Sequence, residues 1–292
     1  MLFRSEEFGA CVFDVTLDCE DGAPVGGEAD HAALVVAMVA LASDKARVAV
    51  RVHALDHPSF EADITRIAGK VGHRLSHIMV PKVESAGDVN RAVAALAAVG
   101  QAQVPLHVLL ESPAAVHRAF EIAAHPRVQS ISFGLMDFVS SHGGAIPGAA
   151  MGIHGQFAHP LVVRAKLEIA SSCHAHGKVP SHCVVTEFSD TAVMKVAAQK
   201  AAREFGYTRM WSIHPSQIRP ILEAFAPSEG EIEGATKIIA AGARSDWAPI
   251  SFEGQLHDRA SYRYYWHVLA RAHQTGRVIP AEVQLYFAAA LH

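Results

Sequence analysis

At 292 residues, half of them apolar and 18% charged, the chain can build one large domain or two small ones around a sizeable core, which excludes a disordered chain. A formal charge of −4, with the signs interspersed, gives no electrostatic footprint for nucleic acid or an anionic membrane. No apolar run reaches the length of a bilayer span, and the start Met1-Leu-Phe-Arg-Ser-Glu-Glu7 has acids where a secretory leader needs a basic, then apolar, stretch, so a cytoplasmic protein is expected.

Taken in chain order, the pattern opens on what reads as the end of a helix (2–8) and then alternates short apolar runs with amphipathic stretches. The runs at 11–17, 47–52, 76–80, 106–110, 130–133, 183–185 and 210–213 predict strands. The stretches at 30–42, 61–71, 86–99, 114–124, 191–205 and 217–226 predict helices. Ser85 ahead of Asp88, and Ser112 followed by Pro113, supply helix-start chemistry. Such alternation implies βαβ units and a parallel sheet covered on both faces. Seven units are legible, one short of a closed eight-fold barrel, so an opening strand is expected to be missing from this chain or supplied in another way. An open doubly wound sheet would carry a Gly-rich phosphate turn after its first strand. The turn here, Asp18-Cys-Glu-Asp-Gly22, is acidic and would repel a pyrophosphate. The expected fold is therefore α/β, a TIM (β/α)8-type barrel over residues 1–228, followed by a C-terminal helical lid or oligomerisation segment over 229–292.

Two segments break the rhythm. Residues 140–160, rich in Gly, Ala and His, read as a long loop and a candidate active-site cover. After Pro227-Ser228 come a helix at 229–241, a strand-like piece at 249–252, a turn at Gly254 and a helical tail carrying Tyr262, Tyr264, Tyr265 and Trp266. That aromatic cluster is expected to pack against the barrel or a neighbouring subunit. The cysteines, Cys11, Cys19, Cys173 and Cys183, form no C-x-x-C pair and suggest a reduced setting. His174, His176 and His182 have the look of zinc ligands but come without H-E-x-x-H or a finger-spaced Cys, and are read as surface and loop histidines.

In β/α barrels chemistry sits at the C-terminal ends of the strands. Those ends carry Asp18, Glu20 and Asp21, then Arg51 and His53, Lys82 and Glu84, Glu111, Asp137, the region of Glu187, and His214. Glu111 and Asp137 on consecutive strands suit Mg²⁺, which takes one or two carboxylates and keeps several waters. Glu20 and Asp21 could hold those waters, and Arg51 could clamp a substrate carboxylate. Plainer readings stand beside these. Lys82 and Glu84 could pair with rim neighbours, His214-Pro215 could be a helix-start turn, and Asp137 could be a helix cap.

The stretches Leu17-Asp-Cys-Glu-Asp-Gly22, Val50-Arg-Val-His53, Ile78-Met-Val-Pro-Lys-Val-Glu-Ser85, Leu110-Glu-Ser-Pro113, Phe133-Gly-Leu-Met-Asp137 and Ser212-Ile-His-Pro-Ser-Gln-Ile218 occur in that order. Together they resemble the HpcH/HpaI aldolase/citrate lyase family, in particular its citrate lyase beta-subunit-like, malyl-CoA lyase-like branch. The resemblance, over roughly residues 11–270, implies a Mg²⁺-dependent barrel (Mn²⁺ as a substitute) assembled as a trimer or hexamer. It implies Glu111 and Asp137 as metal ligands, Arg51 as the substrate-carboxylate residue, and Asp258 as the lid acid that serves a neighbouring subunit's site; Lys82, like Glu20 and Asp21, is placed around the site by its strand-end position. By itself Asp258 reads as a helix cap. The chain departs from the family pattern where His53 replaces an Asn, where Glu111-Ser-Pro-Ala-Ala115 replaces Glu-Thr-Ala-Arg-Gly, and where Val179-Pro-Ser-His-Cys183 replaces an acidic-glycine turn. The activity expected from the resemblance is cleavage or formation of a 3-hydroxy acid or its CoA thioester through an enolate, with release of a 2-oxo acid. A CoA-independent aldolase of 4-hydroxy-2-oxo acids and a non-catalytic oxo-acid-binding subunit are the alternatives.

Overall fold

The computed structural model describes residues 12–290, so the helix end expected at 2–8 lies outside the described residues, as does Cys11. Two compact units emerge: Phe13–Ile221, and a smaller one whose described part is Val12 with residues 222–290.

The larger unit runs β1 (Val15–Asp18), α1 (Glu28–Leu41), β2 (Val48–Arg51), α2 (Phe60–Asp63), a π turn at Ile64–Ala68, α3 (Gly69–Val71), β3 (Leu75–Val80) and α4 (Ala86–Ala98). It continues with β4 (Leu106–Leu110), α5 (Pro113–His117), α6 (Ala119–Ala124), β5 (Val128–Phe133), α7 (Leu135–Ser140), α8 (Pro160–Ala175), β6 (Val179–His182), α9 (Thr191–Arg203) and β7 (Arg209–Met210). A further helix, α10 (Ile218–Phe225), runs across the division between the units. The seven strands form one sheet in sequence order, and every neighbouring pair is parallel.

Alternation along each strand sorts its side chains to two faces. Val48, Val50, Val52, Ile78, Val80, Leu106, Val108, Leu110, Ile131 and Phe133 join the apolar core with Ile64, Ile67, Val89, Leu96, Ile122 and Ile169 from the helical layer. Each such burial contributes roughly 1.5–3 kcal/mol. The opposite face is polar: His107 hydrogen-bonds Ser130 Oγ through Nδ1 and Ser132 Oγ through Nε2, both at 2.7 Å. His77 beside it is pushed down to about 4 by burial and the Arg209 charge, so it is neutral at physiological pH. A single contact shows how far the sheet curls. Flat, its first and last strands would lie roughly 29 Å apart at the usual spacing of ~4.8 Å per strand. Instead Asp14, just ahead of β1, is ion-paired with Arg209 of β7 and with Arg47.

The predicted caps form: Ser85 accepts from Asp88 N, and Ser112 accepts from Ala115 N with Pro113 in the first turn. Three readings need correction. The sixth strand is Val179–His182 and not 183–185, because Pro180 is tolerated within it. Its carbonyl accepts from Thr208 N, so its ring nitrogen faces the β7 side one residue before that ladder begins at Ser181↔Arg209. The helix α8 went unread, because its buried face includes Lys166 and Ser172 among Val162, Ala165, Ile169 and Cys173 and so lacks a clean apolar stripe. The stretch at 140–160 is not a bare loop either. It holds short 3₁₀ turns at Gly148–Met151 and Gly155–Phe157 and buries Ile146, Ala150 and Gln156.

In the smaller unit α11 (Glu229–Arg244) starts on a capping box between Ser228 and Glu231. A hairpin of β8 (Ile250–Phe252) and β9 (Gln255–His257) follows, turning through Glu253 and Gly254, both with positive φ as a two-residue hairpin demands. Then come α12 (Arg259–Gln274) and α13 (Ala281–Ala290). Tyr262 packs inside this unit, its hydroxyl donating to Ala248 O at 2.7 Å and its ring so close to Gly242 that a Cβ there would lie 2.9 Å away. Tyr264, by contrast, is exposed. Cys19, Cys173 and Cys183 are buried free thiols. Among the described residues no helix is long and apolar enough to cross a membrane.

Candidate active site

The ends of β1 to β5 assemble a continuous charged network. At β1, Asp18 turns its carboxylate back onto its own loop, accepting from Glu20 N at 3.0 Å and Gly22 N at 2.9 Å. A Cβ on Gly22 would fall 2.3 Å from Asp18 Oδ2, so only glycine permits that turn. The Asp18 carboxylate also takes both parallel donors of Arg51, Nε at 2.6 Å and Nη2 at 2.5 Å. Burial pushes Asp18 up, but its bonds and charge contact with Arg51 outweigh this and hold it below the usual carboxylate range. Arg51 reaches Glu20 Oε2 through Nη1 at 2.8 Å, and its guanidinium lies 5.3 Å from the ring centroid of Trp211, just past β7. One hydrogen on each terminal nitrogen of Arg51 is left for an incoming acid.

Glu20 continues the network through Oε1 to Lys82 Nζ at 2.8 Å. Lys82 has φ of 54°, a left-handed conformation rare outside glycine, and its backbone N–H donates to Glu111 Oε2 at 2.8 Å. Glu111 follows the fully buried strand β4 and is itself 6% exposed. Its other oxygen lies against Gly134, where a Cβ would stand 2.3 Å from Oε1. Asp137 follows in the first turn of α7. Burial and the Asp137 charge together push Glu111 up to about 7.

The structure thus brings Arg51, Glu20, Lys82, Glu111 and, through its charge, Asp137 together. Asp21 stays exposed. Asp137 is not a helix cap, since that position belongs to Gly134 and makes no side-chain bond. The plainer readings hold for three other residues. Lys82 pairs with Glu20, Glu84 accepts from Ser112 Oγ at 2.8 Å, and His214 caps the turn Pro215–Gln217 by accepting from Ser216 N. Asp258 lies in the smaller unit, where it caps α12 by accepting from Ala260 N and Ser261 N. His182 is fully buried, against the expectation of a surface residue, whereas His174 and His176 are exposed. Asp18 as the partner of Arg51, Gly134 as the seat of Glu111, and Trp211 are additions. The acidic turn hinted at the first, and Gly134 next to a strand end at the second, whereas nothing local signals Trp211.

A cation fits this set. Glu111 is a buried carboxylate that, among the described residues, accepts from one backbone N–H and has a second acid beside it, and such a group costs several kcal/mol to ionise without a counter-charge. Among the described residues no three His, Cys, Asp or Glu side chains converge as a ligand cluster. A hard ion bound by Glu111 and Asp137 would therefore keep open positions for water or substrate oxygen, the habit of Mg²⁺.

The model of the HpcH/HpaI aldolase/citrate lyase family matches residues 8–215. An L-malyl-CoA/beta-methylmalyl-CoA lyase of Cereibacter sphaeroides is 31% identical over 282 residues, covering 88% of this chain and 87% of the relative. The crystal structure of a citrate lyase from Burkholderia xenovorans superposes with a TM-score of 0.85 at 49% identity, over 97% of this chain and 90% of that one. The CitE protein of Mycobacterium tuberculosis, solved with magnesium, acetoacetate and coenzyme A, superposes with a TM-score of 0.71 at 26% identity, over 89% of this chain and 90% of that one.

Proposed function

Since the chain belongs to the HpcH/HpaI aldolase/citrate lyase family, a family of carbon–carbon lyases, we propose that it is a Mg²⁺-dependent lyase that cleaves or forms a malyl-CoA- or citryl-CoA-like thioester through an enolate and releases a 2-oxo acid. The observation that carries this reading is the buried Glu111, held beside Asp137 at adjacent strand ends and raised to about 7. We assign Glu111 and Asp137 to the metal. Bound there, the ion would act as a Lewis acid that stabilises negative charge developing on the 2-oxo-acid oxygens.

The chain's own residues supply the rest. Arg51, fixed in place by Asp18 and Glu20, offers its remaining donors to the substrate carboxylate. Lys82, neutralised by Glu20, orients Glu111 through its backbone. Asp21 is assigned to the outer water shell. Asp258 is assigned the proton on the enolate-forming carbon, reached across a subunit boundary in a trimer or hexamer, with residues 229–292 as the lid. The relatives' CoA ligands support a thioester substrate. The ion pair between Asp14 and Arg209 supports a barrel with one strand's width between β1 and β7, since Arg and Asp side chains together span about two strand spacings, roughly 10 Å.

The test is cleavage of malyl-CoA and citryl-CoA with and without Mg²⁺, alongside light scattering for the assembly. Chelator-sensitive cleavage that disappears in Glu111→Ala supports the proposal. Metal-independent cleavage, or turnover only of free 4-hydroxy-2-oxo acids, refutes it.

A further inference from the structure

We propose that hydrogen peroxide joins Cys183 to Lys166 in a thiol-reversible sulfur–nitrogen link, an oxidative modification that ties the end of β6 to α8. Neither residue takes part in the reaction proposed above. Lys166 projects from the buried face of α8 and is 0% exposed, and among the described residues no carboxylate pairs with it. Its Nζ instead donates to Gln156 Oε1 at 2.9 Å and lies 4.0 Å from the centroid of the Phe157 ring. Cys183, the residue after β6, is 1% exposed and donates from Sγ to that same oxygen at 3.4 Å. The thiol and the amine are hydrogen-bonded to each other as well. Gln156 thus gathers a nucleophilic sulfur and a nucleophilic nitrogen at one atom. Burial pushes Lys166 down to about 8, so part of the population carries a neutral amine at physiological pH. Two further polar atoms of this cluster, Gln156 Nε2 and His182 Nε2, are buried without a hydrogen-bond partner among the described residues. His182 Nδ1 donates to Cys183 O at 3.0 Å, which leaves the ring's lone pair on Nε2. A free donor and a free acceptor on residues that touch Cys183 suit a water-sized guest that both accepts and donates, and hydrogen peroxide is one.

A buried thiol is ordinarily inert, and burial does push Cys183 up, so that it keeps its proton. Here the neighbouring amine supplies the base. Lys166 takes the thiol proton as the sulfur attacks one peroxide oxygen; the O–O bond breaks, and the departing hydroxide recovers that proton as water. The sulfur, oxidised by two electrons, is now a sulfenic acid, and the peroxide has been reduced. The Lys166 nitrogen then attacks this sulfur, the S–O bond breaks, and the hydroxyl leaves as a second water with a proton from the nitrogen. Sulfur and nitrogen end joined, one peroxide is consumed, two waters are released, and the side chains have lost two hydrogens between them. A thiol reductant reverses the link by attack at the sulfur.

The experiment exposes the full-length protein to hydrogen peroxide, folded or in urea, alkylates the remaining thiols without reduction, and maps the tryptic peptides by mass. Trypsin cuts after Lys166 unless its nitrogen is blocked. The link is therefore read as peptide 165–178 joined to peptide 179–195, lighter than their sum by two hydrogens and with Cys173 alkylated. The folded protein should give about tenfold or more of this species than the protein in urea, because the fold holds the two atoms together. Dithiothreitol should separate the peptides and restore cleavage after Lys166. Lys166→Met, which keeps the length of the buried chain without the amine, should stop at a sulfenic acid on Cys183 that dimedone traps. Cys183→Ser should leave Lys166 open to trypsin. The folded parent decides the matter even if a variant misfolds. Cys183 recovered there as a free thiol, Cys183 carrying two or three oxygens beside a cleaved Lys166, a disulfide to Cys173, or equal yields of the link in urea each overturn the inference.

Discussion

The two halves of the charged rim both carry an Asp and a Glu yet sit in opposite electrostatic states. At the ends of β1 and β2, Asp18 meets Arg51 through two parallel bonds, and its carboxyl is held below the usual range. At the ends of β4 and β5, Glu111 takes a backbone N–H from Lys82 and, among the described residues, makes no ion pair, and burial with the Asp137 charge raises it to about 7. The first half is a finished scaffold whose charges already answer one another. The second carries charge that no side chain answers, and it is the place where we propose a divalent ion. Preorganised and unsatisfied charge can thus lie two strands apart, and the unsatisfied part is where ligand chemistry belongs.

That contrast can be broken most directly at Gly134. Gly134→Ala sets a Cβ where Glu111 Oε1 now lies, 2.3 Å away, and should lower Mg²⁺ affinity and cleavage by about 1,000-fold, as should Glu111→Ala; calorimetry of Mg²⁺ with oxaloacetate measures it. Retention of tight Mg²⁺ binding in Gly134→Ala would mean that Glu111 does not need this seat.

The next effect is on stability. Glu111 has a folded-state value near 7 against 4.5 unfolded, so between those values the folded protein binds the extra proton. Stability of the metal-free protein should therefore fall as pH rises from about 4.5 to about 7, by up to about 3 kcal/mol. Urea titrations across that range measure it. Mg²⁺ should remove the fall, as should Glu111→Gln, and an identical slope in Glu111→Gln would trace it to other groups.

On the scaffold side the effects shrink. Asp18→Asn loosens the grip on Arg51 and should raise KM for the thioester by about tenfold with a smaller change in kcat. An unchanged KM would show that Glu20 alone aims the guanidinium. Trp211→Leu removes only the ring beneath Arg51, a contact worth about 0.5–2 kcal/mol, and should cost about threefold or somewhat more in KM.

Much of this was legible beforehand, and for identifiable reasons. The strand at 106–110 was read to the residue and those at 47–52 and 76–80 to within one, because buried parallel strands are nearly continuous apolar runs. Glu111 and Arg51 followed from the rule that strand ends hold the chemistry. What failed was where one residue overrode a pattern: Pro180 disguised β6, and Lys166 on a buried face disguised α8. What could not be read was non-local. The meeting of Trp211 with Arg51 exists only once the sheet has curled.

The contact between Asp14 and Arg209 joins residues 195 positions apart. During synthesis at about 5–20 residues per second, Asp14 must wait roughly 10–40 seconds before Arg209 has been made. Until then the curl of the sheet goes unlatched, and the outer edge of β1, which no strand covers among the described residues, is where premature association with other nascent chains would begin.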